Sequence, residues 1–340
     1  MTLTRLTALL LATGVFLVTS CSKSSDSTSG APAGSGSGRQ ITIALMPKSK
    51  GNLYFVSCRK GAERAAKELG VRLIFDGPTD PDPTKQNEII ENWITLGVDV
   101  IAAACENKEG ISTALRKARQ KGVKVITYDS DAMPDARAFF VNQATPEGIG
   151  STLMDEAARL CRGQGEFAII TASLTAANMN DWQRHIETRR ASKYPNMKMV
   201  ALRPCDDLKD KAQAEATALL SAHPNLKLLM NICSPAVPGA AEAVKQAGKA
   251  GKVKVIGLGM PKENRQYQKE GVTDSVILWK TEDLGALTVR AAHAVATGTL
   301  KAGDKTFKAG PLGEFEIAGD NILLGTPFIF NKDNIDQFDF

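Results

Sequence analysis

The chain has 340 residues, with 42 basic and 37 acidic side chains and a formal charge of +5. That length leaves room for two domains once an N-terminal leader is set aside. The charge is spread along the chain, with no basic stripe interleaved with aromatics, which argues against nucleic acid as a partner.

Residues 8–18 form a short apolar run after a single charged residue, Arg5. The run is too short to cross a bilayer as a helix. Val18-Thr19-Ser20-Cys21 resembles the bacterial lipobox, in which the cysteine is lipidated and becomes the first residue of the mature chain. From Ser22 to Arg39 the residues are Ser, Gly, Ala, Thr and Pro apart from Lys23, Asp26 and Arg39. Such a composition buries too little apolar surface to order itself. As a random coil it reaches about 25 Å. Residues 1–20 are therefore expected to be a lipoprotein signal peptide, and residues 21–39 a disordered tether. The protein is expected in the periplasm or at the cell surface, meeting the membrane only through lipid on Cys21. No later apolar run approaches about 18 residues, so a soluble globular body is expected.

Residues 41–46 (ITIALM) predict a strand. Residues 54–69 predict a helix, with Ala62, Ala65, Ala66 and Leu69 at i, i+3, i+4, i+7 spacing. A strand at 71–75 and a helix at 84–96 follow, the helix carrying Ile89, Ile90 and Trp93 as one stripe. Residues 100–104 are uniformly apolar and predict a buried parallel strand. A helix at 109–121 ends at Gly122, and strands follow at 123–128 and 139–141. The pattern then restarts. Helices at 146–160, 180–192, 209–222 and 236–246 alternate with strands at 166–171, 198–202, 226–230 and 253–258. A short helix at 261–269 leads to a strand at 274–278 and a helix at 282–296. The tail from 312 reads as short strands and turns. Two consecutive βα arrays predict an α/β fold of two doubly wound parallel-sheet lobes. The helix at 282–296 is spare after the second array and can return to the first lobe.

In open α/β sheets ligands sit beyond the carboxyl ends of the strands. Lys48 follows the first strand, and Asn52, Tyr54 and Phe55 open the next helix. A cation, an amide and two aromatic faces there suit a sugar, which offers hydroxyls and a flat C–H face. The competing readings are a solvated lysine and aromatics that only pack helix on sheet. Asp129 ends the fourth strand, where a carboxylate accepts hydrogen bonds from hydroxyls or caps a helix. Asp131 and Asp135 follow without the glycine turn and terminal Glu of a calcium loop. Asn178, Met179 and Asn180 join a strand to a helix; Asn178 and Asn180 either cap that helix or face the cleft, the cap fitting Asn180 best. Cys233 and Ser234 follow another strand, and no histidine lies near enough in sequence to serve Cys233 as a base. Trp279 ends the last strand of the second array, as a ligand wall or a core tryptophan. No metal site is expected, because no paired Cys/His spacing occurs. No cofactor is expected, because no nucleotide-binding glycine motif occurs, and no hydrolase motif argues for an enzyme.

The segments MPKSKGNLYFV, DGPTDPDPTKQ, KGVKVITYDSDA, FFVNQAT, SLTAANMNDW, AVPGAAEAVKQAGKAGKV, VILWKTEDLG and FNKDNIDQFDF occur in order. Together they resemble the type I periplasmic sugar-binding proteins of ABC transporters, nearest the rhamnose-binding and autoinducer-2-binding branch. The resemblance implies lobes joined by three crossovers, with residues 40–143 plus 281–304 in one and 144–280 plus 305–340 in the other. It implies a sugar ligand, an ABC permease as partner, a monomer and no catalysis. It also implies that Lys48, Asn52, Tyr54, Phe55, Asp129, Asn178 and Trp279 contact the ligand. Met179 stands where close relatives have glutamine, and Gly259 where pentose and galactose binders often have aspartate. Autoinducer-2 receptors carry aspartate at the Asn178 position, so the chain leans to a rhamnose-like deoxyhexose. An autoinducer-2 receptor, a lac-repressor-like regulator body and a cleft enzyme are the alternatives. The regulator would need a helix-turn-helix where this chain has a leader and tether. In a 2-1-3 strand order, Cys58 and Cys105 are expected near enough for a disulfide.

Overall fold

The computed structural model describes residues 39–340. The expected leader, Cys21 and the tether up to residue 38 lie outside the described residues. The first strand, β1 (Thr42–Met46), is buried along its whole length, as an unbroken apolar run requires when both sheet faces are covered. It leads to α1 (Leu53–Leu69), β2 (Arg72–Phe75), α2 (Pro83–Leu96), β3 (Val100–Ala103), α3 (Lys108–Gln120), β4 (Lys124–Tyr128) and β5 (Phe140–Asn142). Asn52 caps α1 by accepting from the Tyr54 N–H, and left-handed Gly70 ends it. Asp82 and Pro83 open α2, and left-handed Gly97 closes it. These caps satisfy backbone groups that the helices leave orphaned.

The second array comprises α4 (Pro146–Cys161), β6 (Gly165–Thr171), α5 (Ala177–Lys193), β7 (Met197–Pro204), α6 (Lys209–Ala222), β8 (Leu226–Asn231), α7 (Ala236–Gln246), β9 (Lys254–Leu258), α8 (Pro261–Lys269) and β10 (Ser275–Leu278). Then come α9 (Thr281–Thr297), β11 (Thr306–Lys308), β12 (Glu314–Ala318), β13 (Asn321–Leu323) and β14 (Phe328–Phe330). Among these residues no helix is long and apolar enough to cross a membrane.

Two sheets result. One has the order β2-β1-β3-β4-β5-β13-β12-β11, the other β7-β6-β8-β9-β10-β14. Each is parallel at its centre and gains antiparallel strands only at one edge. In the first sheet Ile43 and Leu45 face the side covered by α1 and α9, while Ala44 and Met46 face α2 and α3. The chain passes between the sheets after β5, after β10 and after β13, which gives the three crossovers. The strand order reverses direction at β1/β3 and at β6/β8, and a cleft opens at such switch points.

Three expectations change. Residues 305–340 do not all join the second lobe: β13 pairs with the β5 edge of the first sheet and carries β12 and β11 with it. An open sheet edge carries unpaired backbone groups, and this hairpin covers one. Cys58 and Cys105 are separate thiols. Cys58 packs on the α1–α9 face and Cys105 on the α2–α3 face, so the sheet stands between them. Side chains alternate along a strand, and Cys105 falls on the wrong parity. Finally, α5 starts at Ala177, which leaves Asn180 inside the helix, donating its amide to the Leu174 carbonyl at 3.0 Å.

Candidate functional site

The loops after β1, β3 and β4 face the loops after β6, β7 and β8. Lys48 leaves β1 and is 4% exposed. Its Nζ donates to Asn178 Oδ1 at 3.1 Å, across the cleft from the first turn of α5. Glu106, after β3, lies 3.9 Å from the same Nζ. Buried Gln86 on α2 sets this pair. It donates to the Pro47 and Ala104 carbonyls and accepts from the Glu106 N–H, so one side chain joins the ends of β1 and β3.

Asn52 does two jobs. Its Oδ1 caps α1 and accepts from Ser234 Oγ at 3.1 Å, while its Nδ2 donates to Asp207 Oδ2 at 2.7 Å. Ser234 follows β8 and Asp207 follows β7, so both bonds cross the cleft. A third chain runs through the aromatics. Trp279 Nε1 donates to Tyr54 Oη at 2.9 Å, and Tyr54 donates to Asp129 Oδ1 at 2.8 Å. Tyr54 stands edge-on to Phe55 and to Trp279, and Trp182 packs at an angle on Trp279.

Asp129 and Asp207 both hold left-handed backbone, at φ 60° and 56°. Strain of this kind persists where surrounding structure imposes it, and it clusters at functional sites. Burial raises the Asp129 carboxyl, against the pull of Lys48 and the Tyr54 hydroxyl. Asp207 keeps some surface but is hemmed in by the cleft walls. Lost hydration raises it to about 6, opposed by the Asn52 amide and Lys48. Burial and the Asp129 charge push the Tyr54 hydroxyl well up, so it stays a donor.

The candidate ligand residues all line one pocket in the cleft: Lys48, Asn52, Tyr54, Phe55, Asp129, Asn178, Met179, Cys233, Ser234 and Trp279. Trp182, Asp207, Ile232, Leu258 and Leu278 also line it and were not singled out from the sequence. Asp207 follows a strand end, as Lys48 and Asp129 do. The same rule would have found it had β7 been carried two residues further, to Pro204. After β9, where pentose and galactose binders often have aspartate, this chain has Gly259, and a Cβ there would meet the Asn264 side chain at 2.8 Å. The second-lobe carboxylate comes from the β7 end instead. Met179 turns its thioether onto Thr171 Oγ1 and the Ala172 N–H. Asp131 is held by Arg137 through two nitrogens and Asp135 by Arg116. Both carboxylates are paired with arginines, and no metal-holding cluster occurs among the described residues.

The arrangement closes a polar ring around an apolar floor and aromatic walls. Carboxylates accept from hydroxyls, the lysine and amides donate to ring oxygens, and the indole and phenyl faces suit C–H surfaces. Residues 43–300 match the family model described as a periplasmic binding protein domain. A D-ribose/D-allose-binding protein of Pseudomonas aeruginosa is 32% identical over 253 residues, 72% of this chain and 77% of that protein. A solved ABC transporter solute-binding protein from Clostridium phytofermentas with bound L-rhamnose is 30% identical, with TM-score 0.85 over 88% of this chain and 98% of that one. LsrB from Clostridium saccharobutylicum in complex with AI-2 is 28% identical, with TM-score 0.84 over 88% of this chain and all of that one.

Proposed function

The chain belongs to the periplasmic binding protein family, and from that premise we propose that it binds a monosaccharide, a rhamnose-like deoxyhexose, and delivers it to an ABC permease. The observation that carries this is the set of cross-cleft bonds, Lys48–Asn178, Asn52–Asp207 and Asn52–Ser234. They join the lobes through the same polar groups that a sugar's hydroxyls would engage. Binding then consists of closure around a polyol, with no chemical step. The deoxyhexose reading draws on the floor of the cavity. The ends of β8, β9 and β10 present Ile232, Leu258 and Leu278, and Met179 stands beside them. A methyl group fits such a surface, while a hydroxymethyl there loses its water and gains no partner. The L-rhamnose-bound relative supports the same choice. We place the protein outside the cytoplasm, anchored by lipid on Cys21 and working as a monomer.

A panel of sugars tests the reading by thermal unfolding. At ligand about 100 times Kd, stabilisation is about 2.7 kcal/mol, which raises the midpoint by roughly 5–10 °C. L-rhamnose is expected to give the largest shift, above D-ribose, D-allose and autoinducer-2. A larger shift with autoinducer-2 makes the protein a signal receptor. No shift with any of them removes the sugar reading, and turnover in place of stoichiometric binding makes it an enzyme.

Asp207 adds a pH signature. Its folded pKa of about 6 lies above the unfolded value of 3.8, so between them the folded state binds more protons. Its contribution to ligand-free stability is present below about pH 4 and falls as pH rises to about 6. A hydroxyl donating to Asp207 needs the ionised carboxylate, so affinity moves the other way and weakens below about pH 6. Titration calorimetry and unfolding curves from pH 4 to 7 check both signs. Asp207→Asn is expected to flatten both differences; a wild-type affinity that is level across this range would separate Asp207 from the ligand.

A further inference from the structure

The second lobe carries two neighbouring thiols at the cleft, one in the cavity lining and one behind it. Cys205 follows β7 and Cys233 follows β8, and their Sγ atoms lie 3.4 Å apart. Both side chains are buried. Their backbones are pinned to the end of β6, which lies between those strands: the Cys205 N–H donates to the Thr171 carbonyl and the Ile232 N–H to the Ile170 carbonyl, each at 2.8 Å. A disulfide holds its sulfurs at about 2.05 Å, so a closing movement of about 1.3 Å joins them.

We propose that Cys205 and Cys233 are a redox pair, whose disulfide braces the second-lobe wall of the binding cleft. Asp206 and Asp207 follow Cys205 in a tight left-handed turn, at φ 52° and 56°. Ser234 follows Cys233. Asp207 and Ser234 are the two residues that bond Asn52 across the cleft, so the bond ties together the turns that deliver both.

The chemistry is thiol–disulfide exchange. One protein thiol loses its proton and attacks a small or protein disulfide, RSSR, forming a mixed disulfide and releasing one RSH. The second thiol attacks the protein sulfur of that mixed disulfide, forming Cys205–Cys233 and releasing the second RSH. The protein dithiol loses two electrons and two protons, and RSSR gains them. An oxidising compartment supplies such disulfides; that cellular source rests on the extracytoplasmic reading above, and the test below does not. Cys233 lines the cavity, and burial pushes its thiol well up, so attack belongs to the open cleft, where water reaches the sulfur.

The test treats the full chain with oxidised glutathione, alkylates free thiols, digests without reductant and maps peptides by mass spectrometry. The expected product joins the Cys205 peptide to the Cys233 peptide, while Cys58, Cys105 and Cys161 are recovered alkylated. Dithiothreitol is then expected to lower the thermal midpoint by roughly 5–10 °C, from the freed loop between positions 28 apart. Cys205→Ala lies outside the cavity lining and is expected to lose both the joined peptide and the dithiothreitol-dependent shift, with Cys205→Ser as the substitute if the alanine variant does not fold. Separate alkylation of Cys205 and Cys233 after the oxidant, or either one joined to a different cysteine, overturns the pairing. A joined peptide with no change of midpoint overturns the bracing role.

Discussion

Asp129→Asn is expected to weaken sugar binding by about 100-fold or more while leaving the fold in place. Asp129 is 5% exposed and sits between the Tyr54 hydroxyl and the cavity. Its remaining acceptor positions are available to hydroxyl donors of the proposed sugar. A hydrogen bond to a charged group is worth about 1.5–3 kcal/mol, and two vicinal hydroxyls therefore account for about 3–6 kcal/mol. Each 1.4 kcal/mol is tenfold in affinity. Asparagine keeps the shape and tolerates the left-handed backbone at φ 60°, so the variant removes charge without adding strain. Asp129→Ala does both and is the poorer control. Titration calorimetry reads the affinity and unfolding curves read the fold. Affinity within about threefold of wild type, with an unchanged midpoint, would remove Asp129 from the ligand contacts.

Gly285→Ala is expected to destabilise the protein by more than about 4 kcal/mol, against its own helix propensity. In an exposed helix the change gains about 1 kcal/mol. Here α1 and α9 touch backbone to backbone. A Cβ on Gly285 would meet the Cys58 carbonyl oxygen at 1.8 Å, and one on Gly61 would meet the Glu282 oxygen at 1.7 Å. Backbone atoms cannot swing away as a side chain can, so the helices must part. Overpacking that side chains absorb costs about 1–3 kcal/mol; this clash exceeds it, and the midpoint falls by at least about 8 °C. Parting the helices also separates Tyr54, at the start of α1, from Trp279, just before α9, and breaks their 2.9 Å bond. Gly70→Ala provides the scale. A Cβ there meets nothing, and only its left-handed backbone, φ 66°, opposes it, at a cost of about 1–2 kcal/mol. Urea unfolding of both variants ranks them, and equal stabilities would deny the close approach.

Much of the site was legible because strand ends are legible. Lys48, Asp129, Asn178 and Ser234 each follow an apolar run that reads as a buried strand, and parallel sheets place such positions on one rim. Asp207 escaped because β7 is mostly half-exposed or exposed, so its apolar signal faded before Pro204 and the turn after it lost its address. The cysteines show the same limit from the other side. Cys58 and Cys105 are near in strand order, yet one residue of parity puts them on opposite faces of a sheet. Cys205 and Cys233 flank the end of the strand that separates their own, a relation that depends on the order β7-β6-β8.

The sequence by itself determined the local alternation. Apolar runs, caps and glycine stops set two βα arrays, and with them an α/β fold whose chemistry lies at strand ends. Only the tertiary structure decided which elements return to which sheet, because strands such as β13 and β14 are short and find their place by the open edges available to them. It also decided which polar groups meet across the cleft. Lys48 with Asn178 and Asn52 with Asp207 are 130 and 155 residues apart, and no local pattern reaches that far. Hydrogen bonding at such separations is fixed by how the lobes close, which is a property of the packed molecule.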